Sequence, residues 1–200
     1  MVDRISGVIL AGGANRRFNG RIKSNIVVDG KSIIERMIDV LKDIFHEIII
    51  VTNTPEEFKK YSDFKIIGDQ FLKVGPLGGI HAACRSSSNE ALFVLAGDMP
   101  LIDKRFIVMQ IDYYSSVKCD ILIPQINQYI EPLHAIYNIS IVKTIEEYLS
   151  KNHDYAVRKF INLVNAKYLH FEDSEETRNA FININSPSDI LKVNKILGIL

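Results

Sequence analysis

The chain has 200 residues, 47% of them hydrophobic and 24% charged, enough apolar material for one ordinary globular domain without disulfides or a structural metal. Lys+Arg and Asp+Glu both number 24, so no net charge draws the chain toward polyanions, and nucleic acid is not an expected partner. The two distant cysteines, Cys84 and Cys119, read as reduced thiols of a cytoplasmic protein. The five histidines lack zinc-type spacing, and neither an export signal nor an apolar run long enough to span a membrane is evident.

The first apolar run, Gly7 to Leu10, reads as a buried strand. It breaks at Ala11-Gly12-Gly13, where no bulky side chain keeps the backbone from a ligand and successive amides can converge on an anion. Arg16, Arg17, Arg21 and Lys23 follow, four cations within eight residues. This is a candidate triphosphate cradle; the alternative is a tight turn followed by a solvated basic loop. It is neither of two better-known phosphate loops. Ile22 stands before Lys23-Ser24 where a P-loop needs glycine, and Gly12 and Gly13 are adjacent where a dinucleotide fingerprint separates its first two glycines.

Strands and helices then alternate, the pattern of a mainly parallel sheet with helices on its faces. Ile33, Ile34, Met37, Ile38 and Leu41 recur at helical spacing and predict a helix from about Ser32 to Asp43. Glu47 to Thr52 predicts a second strand. Pro55 to Tyr61 predicts a short helix with Thr54 as N-cap, and Phe64 to Ile67 a third strand ending before Asp69. The glycine-rich turn Val74-Gly75-Pro76-Leu77-Gly78-Gly79 opens another helix.

Ala91 to Ala96 is the clearest central strand and stops at Gly97-Asp98-Met99-Pro100, where proline prevents a ladder. A helix at Lys104 to Tyr114 and a strand at Asp120 to Pro124 follow. Beyond these, Gln125 to Tyr129 reads as a hairpin or loop and Glu131 to Tyr137 as a strand. Ile141 to Leu149 and Ala156 to Val164 read as helices. Ala166 to Phe171 and Ala180 to Ile184 read as strands around an acidic turn, Glu172 to Glu176. Ser186 and Pro187 predict the start of a last helix. The expected organisation is one domain over residues 1–200, with a nucleotide-binding half (1–124) and a half on the acceptor side (125–200).

Three turns fall at carboxyl ends of predicted strands: Ala11-Gly12-Gly13, Asp69 and Gly97-Asp98. In an open α/β sheet that edge is where ligands bind. A phosphate cradle, cations and two carboxylates together suit a metal–triphosphate complex, since Mg²⁺ is held by one or two carboxylates plus substrate phosphates. Asp98 is the best candidate metal ligand, its alternative role being to cap the next helix. Asp69 is a candidate nucleoside contact or metal ligand, or a plain loop residue. Lys23 would set a positive charge against the transferring phosphate, or would be a solvated surface lysine.

Leu10-Ala11-Gly12-Gly13-x-x-x-Arg17-x-x-Gly20-x-x-Lys23 resembles the signature loop of nucleotidyltransferases with a three-layer α/β/α sandwich built on a mainly parallel, Rossmann-like sheet. Within that group the chain is most similar to the molybdenum cofactor guanylyltransferases. Four further motifs carry the resemblance over nearly the whole chain: Gly75-Pro76-Leu77-Gly78-Gly79, Gly97-Asp98-Met99-Pro100, the run from Glu131 to Tyr137, and the run from Phe181 to Pro187. The resemblance implies transfer of GMP from GTP to the terminal phosphate of molybdopterin, with Mg²⁺ as cofactor and pyrophosphate as leaving group.

By position, Leu10, Ala11, Gly12, Gly13 and Gly78 would meet the nucleotide, Lys23 and Arg17 its phosphates, Asn53 and Asp69 the nucleoside, and Asp98 the metal. Asn183 and Asn185 would lie near the metal or the pterin, or would only cap a strand end. The implied partners are the two small-molecule substrates and, transiently, other molybdenum cofactor proteins. Phe18 and Asn19 stand where Met-Gly is usual, and Ile22 replaces a common Asp. The spacing from Leu10 to Lys23 is kept, so the departures bear on base or acceptor preference more than on chemistry. Alternatives are a relative acting on another base or acceptor (molybdopterin cytidylyl, sugar-phosphate or cobinamide-phosphate transfer) and a non-catalytic nucleotide binder.

Overall fold

The computed structural model describes residues 3–12 and 22–199. Ten strands and seven helices follow in chain order: β1 (Ile5–Leu10), β2 (Val27–Val28), β3 (Lys31–Ser32), α1 (Ile33–Leu41), β4 (Ile48–Val51), β5 (Lys65–Ile67), α2 (Pro76–Ser86), β6 (Ala91–Ala96), α3 (Lys104–Ser116), β7 (Ile121–Ile126), β8 (Tyr129–Ile130), β9 (His134–Asn138), α4 (Val142–Lys151), α5 (Val157–Ile161), β10 (Ala166–Phe171), α6 (Glu175–Ala180) and α7 (Pro187–Ile196). One sheet runs β10-β7-β9-β6-β1-β4-β5, with β8 also paired to β7. β1 pairs in parallel with β4 and β6, β4 with β5, and β7 with β10; β9 is antiparallel to both its neighbours.

The central strands read as unbroken apolar runs because both faces of the sheet are covered. Alternate residues feed two separate cores. Ile9, Phe93 and Leu95 pack with α1, α3 and α7, whereas Val8, Leu92 and Val94 pack with α2, α4 and α5. The result is the three-layer α/β/α sandwich expected from the sequence. Helix α1 starts at a reciprocal cap, in which Ser32 Oγ accepts from the Glu35 amide and the Glu35 carboxylate accepts from the Ser32 amide. No helix among the described residues is long and apolar enough to cross a membrane.

Several sequence expectations are corrected. Ala180 to Ile184 is not a strand, and the acidic turn before it begins α6, capped by Ser174 Oγ accepting from the Thr177 amide. Phe181 and Ile184 are apolar because they seal a core, Phe181 resting on Phe106, Phe171 and His134, and not because they alternate along a ladder. Thr54 does not cap the helical turn at Pro55–Tyr61, which is of the tighter 3₁₀ kind; its hydroxyl pairs with that of Thr52. Helix α5 is shorter than expected and ends at Ile161.

β8 and β9 lie end to end along one side of β7, since β10 occupies the other side throughout. The chain leaves that line at Glu131-Pro132-Leu133. There the Leu133 carbonyl accepts from the Ala96 amide at 2.8 Å, at the carboxyl end of β6.

Candidate active site

A cleft of about 1110 Å³ opens along the carboxyl edge of the sheet, over the ends of β1, β4, β5 and β6 and the start of β9. On one flank, Leu10, Ala11 and Gly12 leave β1. The Leu10 carbonyl is taken by the Gly97 amide at 3.0 Å, and the Ala11 amide donates to Val51 at 2.8 Å. A Cβ on Gly97 would stand 2.8 Å from the Leu10 oxygen and 3.1 Å from Ala11 Cα, so only glycine lets the two strand ends approach. Gly12 differs: a Cβ there would meet only Thr52 Cα, at 4.0 Å. Among the described residues, packing does not require that glycine, whereas a ligand lying against the backbone would. Gly13 and Arg17 lie outside the described residues.

Asn53 and Asp69 form a reciprocal clamp. The Asn53 amide donates to the Asp69 carboxylate at 3.1 Å, and the Asp69 backbone amide donates to Asn53 Oδ1 at 2.9 Å. Burial pushes the Asp69 carboxyl above its ordinary range, and the Asn53 hydrogen bond works against that rise. Gly79 comes next to this pair: a Cβ there would be 3.0 Å from Leu10 and 3.5 Å from Asp69 Oδ1. Gly78, the residue expected from the sequence, is packed against Phe71 and Val74 and does not line the cleft. Helix α2 opens at the cleft wall through Gly75, at φ +68°, and Pro76, so the positive end of its dipole faces an incoming anion.

At the centre, Lys23 Nζ lies 2.9 Å from Asp98 Oδ2 and 2.9 Å from Asn185 Oδ1. Asp98 does not cap the following helix; Asp103 does, through the Arg105 amide. The Asp98 carbonyl accepts from the Ile184 amide at 2.9 Å, which ties the aperiodic segment carrying Asn183 and Asn185 to the end of β6. Asn183 is half-buried and lines the cleft, its side-chain amide near the Phe181 carbonyl at 3.4 Å. Ser24 Oγ, beside Lys23, is buried with no hydrogen-bond partner among the described residues.

No residue of the far flank was named as a site residue from the sequence, although the run from Glu131 to Tyr137 carries part of the family resemblance. Glu131, Pro132, Leu133, Ala156, Val157 and Arg158 line this flank. Burial and the negative charge of Asp98 push the Glu131 carboxyl up, while the positive charge of Arg158 pulls it down. The Arg158 guanidinium is itself fixed on the Ile130 carbonyl at 2.8 Å. The signal in the sequence was a carboxylate followed by proline at the head of an apolar run, since proline keeps that stretch out of a ladder. No group of three or more His, Cys, Asp or Glu side chains is arranged to hold a metal by itself among the described residues.

Residues 7–169 match the model of the MobA-like NTP transferase domain. A probable molybdenum cofactor guanylyltransferase of Natranaerobius thermophilus is 38% identical over 99% of this chain and 98% of its own length. One from Clostridium perfringens is 36% identical over 96% of this chain and 98% of its own length. Among solved structures, molybdopterin-guanine dinucleotide biosynthesis protein A from Archaeoglobus fulgidus superposes with a TM-score of 0.81 at 25% identity, covering 98% of this chain and 100% of that one. With the fold, the glycine turns and near-complete coverage all in agreement, this chain is a nucleotidyltransferase and belongs to the molybdenum cofactor guanylyltransferase family.

Proposed function

We propose that the chain transfers GMP from GTP to the terminal phosphate of molybdopterin and releases pyrophosphate, with Mg²⁺ as its metal. The observation that carries this reading is the meeting of Lys23, Asp98 and Asn185 at the middle of the cleft, from three distant parts of the chain. The names of the relatives supply the base and the acceptor. Gly12 adds to the case for a purine, because no described residue comes nearer than Thr52 to the place a side chain would take there, which leaves room for the larger base.

The donor set suits Mg²⁺, a hard cation that takes oxygen ligands from few protein groups and completes its shell with phosphates and water. Asp98 would hold it, with the amide oxygens of Asn183 and Asn185 and the orphaned Ser24 hydroxyl nearby as further oxygen donors. When bound, such a cation neutralises the polyphosphate and steadies the departing pyrophosphate.

The chain's own groups do the rest. The Gly12 backbone, just beyond the β1 ladder, and the α2 terminus receive the phosphates, Asn53 and Asp69 hold the nucleoside, and the Lys23 ammonium turns from Asp98 to the triphosphate. A phosphate oxygen of the acceptor then attacks the α-phosphorus and the bond to the β-phosphate bridging oxygen breaks. Two anions must approach each other, so the positive charge of Lys23 lowers the barrier. On this reading, residues 1–124 form the nucleotide half and 125–200 the acceptor half. The enzyme works in the cytoplasm, with GTP and molybdopterin as substrates and passing contacts with other molybdenum cofactor proteins.

The test is product analysis after incubation with each of the four nucleoside triphosphates, Mg²⁺ and molybdopterin. The expected result is the guanine dinucleotide with one pyrophosphate per product. Equal or better turnover with CTP would sink the choice of base, and pyrophosphate release without any pterin dinucleotide would sink the acceptor.

A further inference from the structure

We infer that Glu131 is a specificity-determining residue of the acceptor flank, its carboxylate reading the N–H edge of the acceptor's 2-amino-4-oxopyrimidine ring. This inference rests on the acceptor proposed above. Glu131 stands where the line of β8 and β9 breaks. Its own amide donates to the Pro124 carbonyl at 3.1 Å, its carbonyl accepts from the His134 amide at 3.1 Å, and two residues on Leu133 is fastened to Ala96. The backbone is therefore held on both sides of the break, which fixes where the side chain begins. The residue is half-buried and lines the cleft, yet its carboxylate makes no hydrogen bond or ion pair with any described side chain. The Arg158 charge offsets part of the cost of withdrawing this carboxylate from water but gives it no hydrogen bond, and a ligand that brings donors supplies what the described residues do not.

The layout says which donors. In the sheet order, Asp69 follows β5, three strand positions from β6 on one side, and Glu131 precedes β9, next to β6 on the other. Asp98, at the end of β6, stands between them. The cleft thus has a central charged pair and one half-buried carboxylate toward each flank. The proposed reaction joins two molecules at their phosphates, and each carries the same ring chemistry at its far end, guanine in one and a pterin in the other. Both rings present an exocyclic amino group beside a ring N–H. Two parallel donors match the two oxygens of a carboxylate in a charge-assisted, bidentate geometry. On the guanine flank one Asp69 oxygen already accepts from the Asn53 amide, whereas on the pterin flank both Glu131 oxygens are unpartnered among the described residues and can take such a pair.

The experiment uses the whole chain with GTP, Mg²⁺ and molybdopterin. Two competitors of the acceptor are compared: 6-hydroxymethylpterin phosphate and the matching lumazine, in which oxygen replaces the 2-amino group. Wild type is expected to be inhibited by the pterin at a concentration at least about tenfold below that needed for the lumazine, a difference within reach of one charge-assisted contact. Glu131→Gln is expected to raise the KM for molybdopterin at least about tenfold and to abolish the pterin preference, with the Kd for GTP unchanged as the sign of an intact fold. Glu131→Asp, which keeps the carboxylate, should retain the preference. Wild-type KM and preference in Glu131→Gln would overturn this inference alone. Failure of the wild-type chain to guanylylate molybdopterin would overturn the functional reading, and this inference with it.

Discussion

The ammonium of Lys23 lies 2.9 Å from the carboxylate of Asp98, although 75 residues of chain separate them. Their side chains are only 22% and 19% exposed, so the pair is screened less than a surface ion pair. It lines an open cleft and is not in a packed core, so its value to the fold stays near the surface order, about 1 kcal/mol.

Lys23→Ala and Asp98→Asn should therefore separate activity from stability. Each is expected to lower turnover by at least about 10², the effect of removing one preorganised charge from a transition state, about 3 kcal/mol. The melting temperature should move by less than about 4 °C, the shift that roughly 1 kcal/mol gives in a chain of this size. Turnover at saturating Mg²⁺, measured beside the melting curve, is the check. Near-wild-type activity in Asp98→Asn would mean that the metal is held elsewhere.

Asn183 and Asn185 sit on the segment that the Asp98 carbonyl fastens through the Ile184 amide. Replacing either by alanine should weaken use of the acceptor more than use of GTP. The expected change is about tenfold in the KM for molybdopterin, the worth of one lost hydrogen bond or somewhat more, and less than about twofold in that for GTP. Steady-state kinetics with each substrate varied in turn reads this out. A change confined to the GTP constant would count against the assignment.

His134 supplies a pH prediction for the fold. It is fully buried, shares Nδ1 with the Gln110 amide at 3.0 Å, and packs against Phe93 and Phe181. Burial lowers its pKa from 6.5 to about 4. Between those values the unfolded chain binds a proton that the folded chain refuses, so stability falls as pH drops from about 6.5 toward 4. The loss from this group reaches about 3 kcal/mol at the acid end. Urea denaturation of wild type and His134→Leu from pH 7.5 to 4.5 should show the wild type losing the more stability over that range. Parallel slopes would show that His134 does not report on folding.

Much of this architecture was legible because buried parallel strands leave uninterrupted apolar runs: β1, β4 and β6 stand where those runs do. The helix at Pro187 was legible from its first turn, where the Asp189 carboxylate accepts from the Ser186 amide and hydroxyl. Phe181 to Ile184 misled because alternation in a short segment has the same appearance whether a ladder or an aromatic cluster buries it. Among the residues lining the cleft, Asp69 and Asp98 could be picked out because each follows a recognisable strand and Lys23 because it closes the basic loop, whereas Asn53 came only with the family resemblance. Glu131 and Arg158 could not be picked out, since one owes its position to a break between two strands and the other to a carbonyl at that break. Gly79 was passed over for Gly78 because adjacent glycines on a helix look alike until the direction of each missing Cβ is known.

The antiparallel course of β9 has a consequence for how the two flanks of the cleft are built. On the flank of Asn53 and Asp69, residues reach the cleft as the chain exits parallel strands, so each is tied to the crossover that follows it. On the opposite flank, Glu131 to Leu133 reach it as the chain enters a strand from a short hairpin turning at Asn127, a residue with φ +52°. Residues can be gained or lost in that hairpin while β9 keeps its register on β6. That hairpin is therefore the part of the cleft rim that can change length without disturbing the strand pairing beneath it.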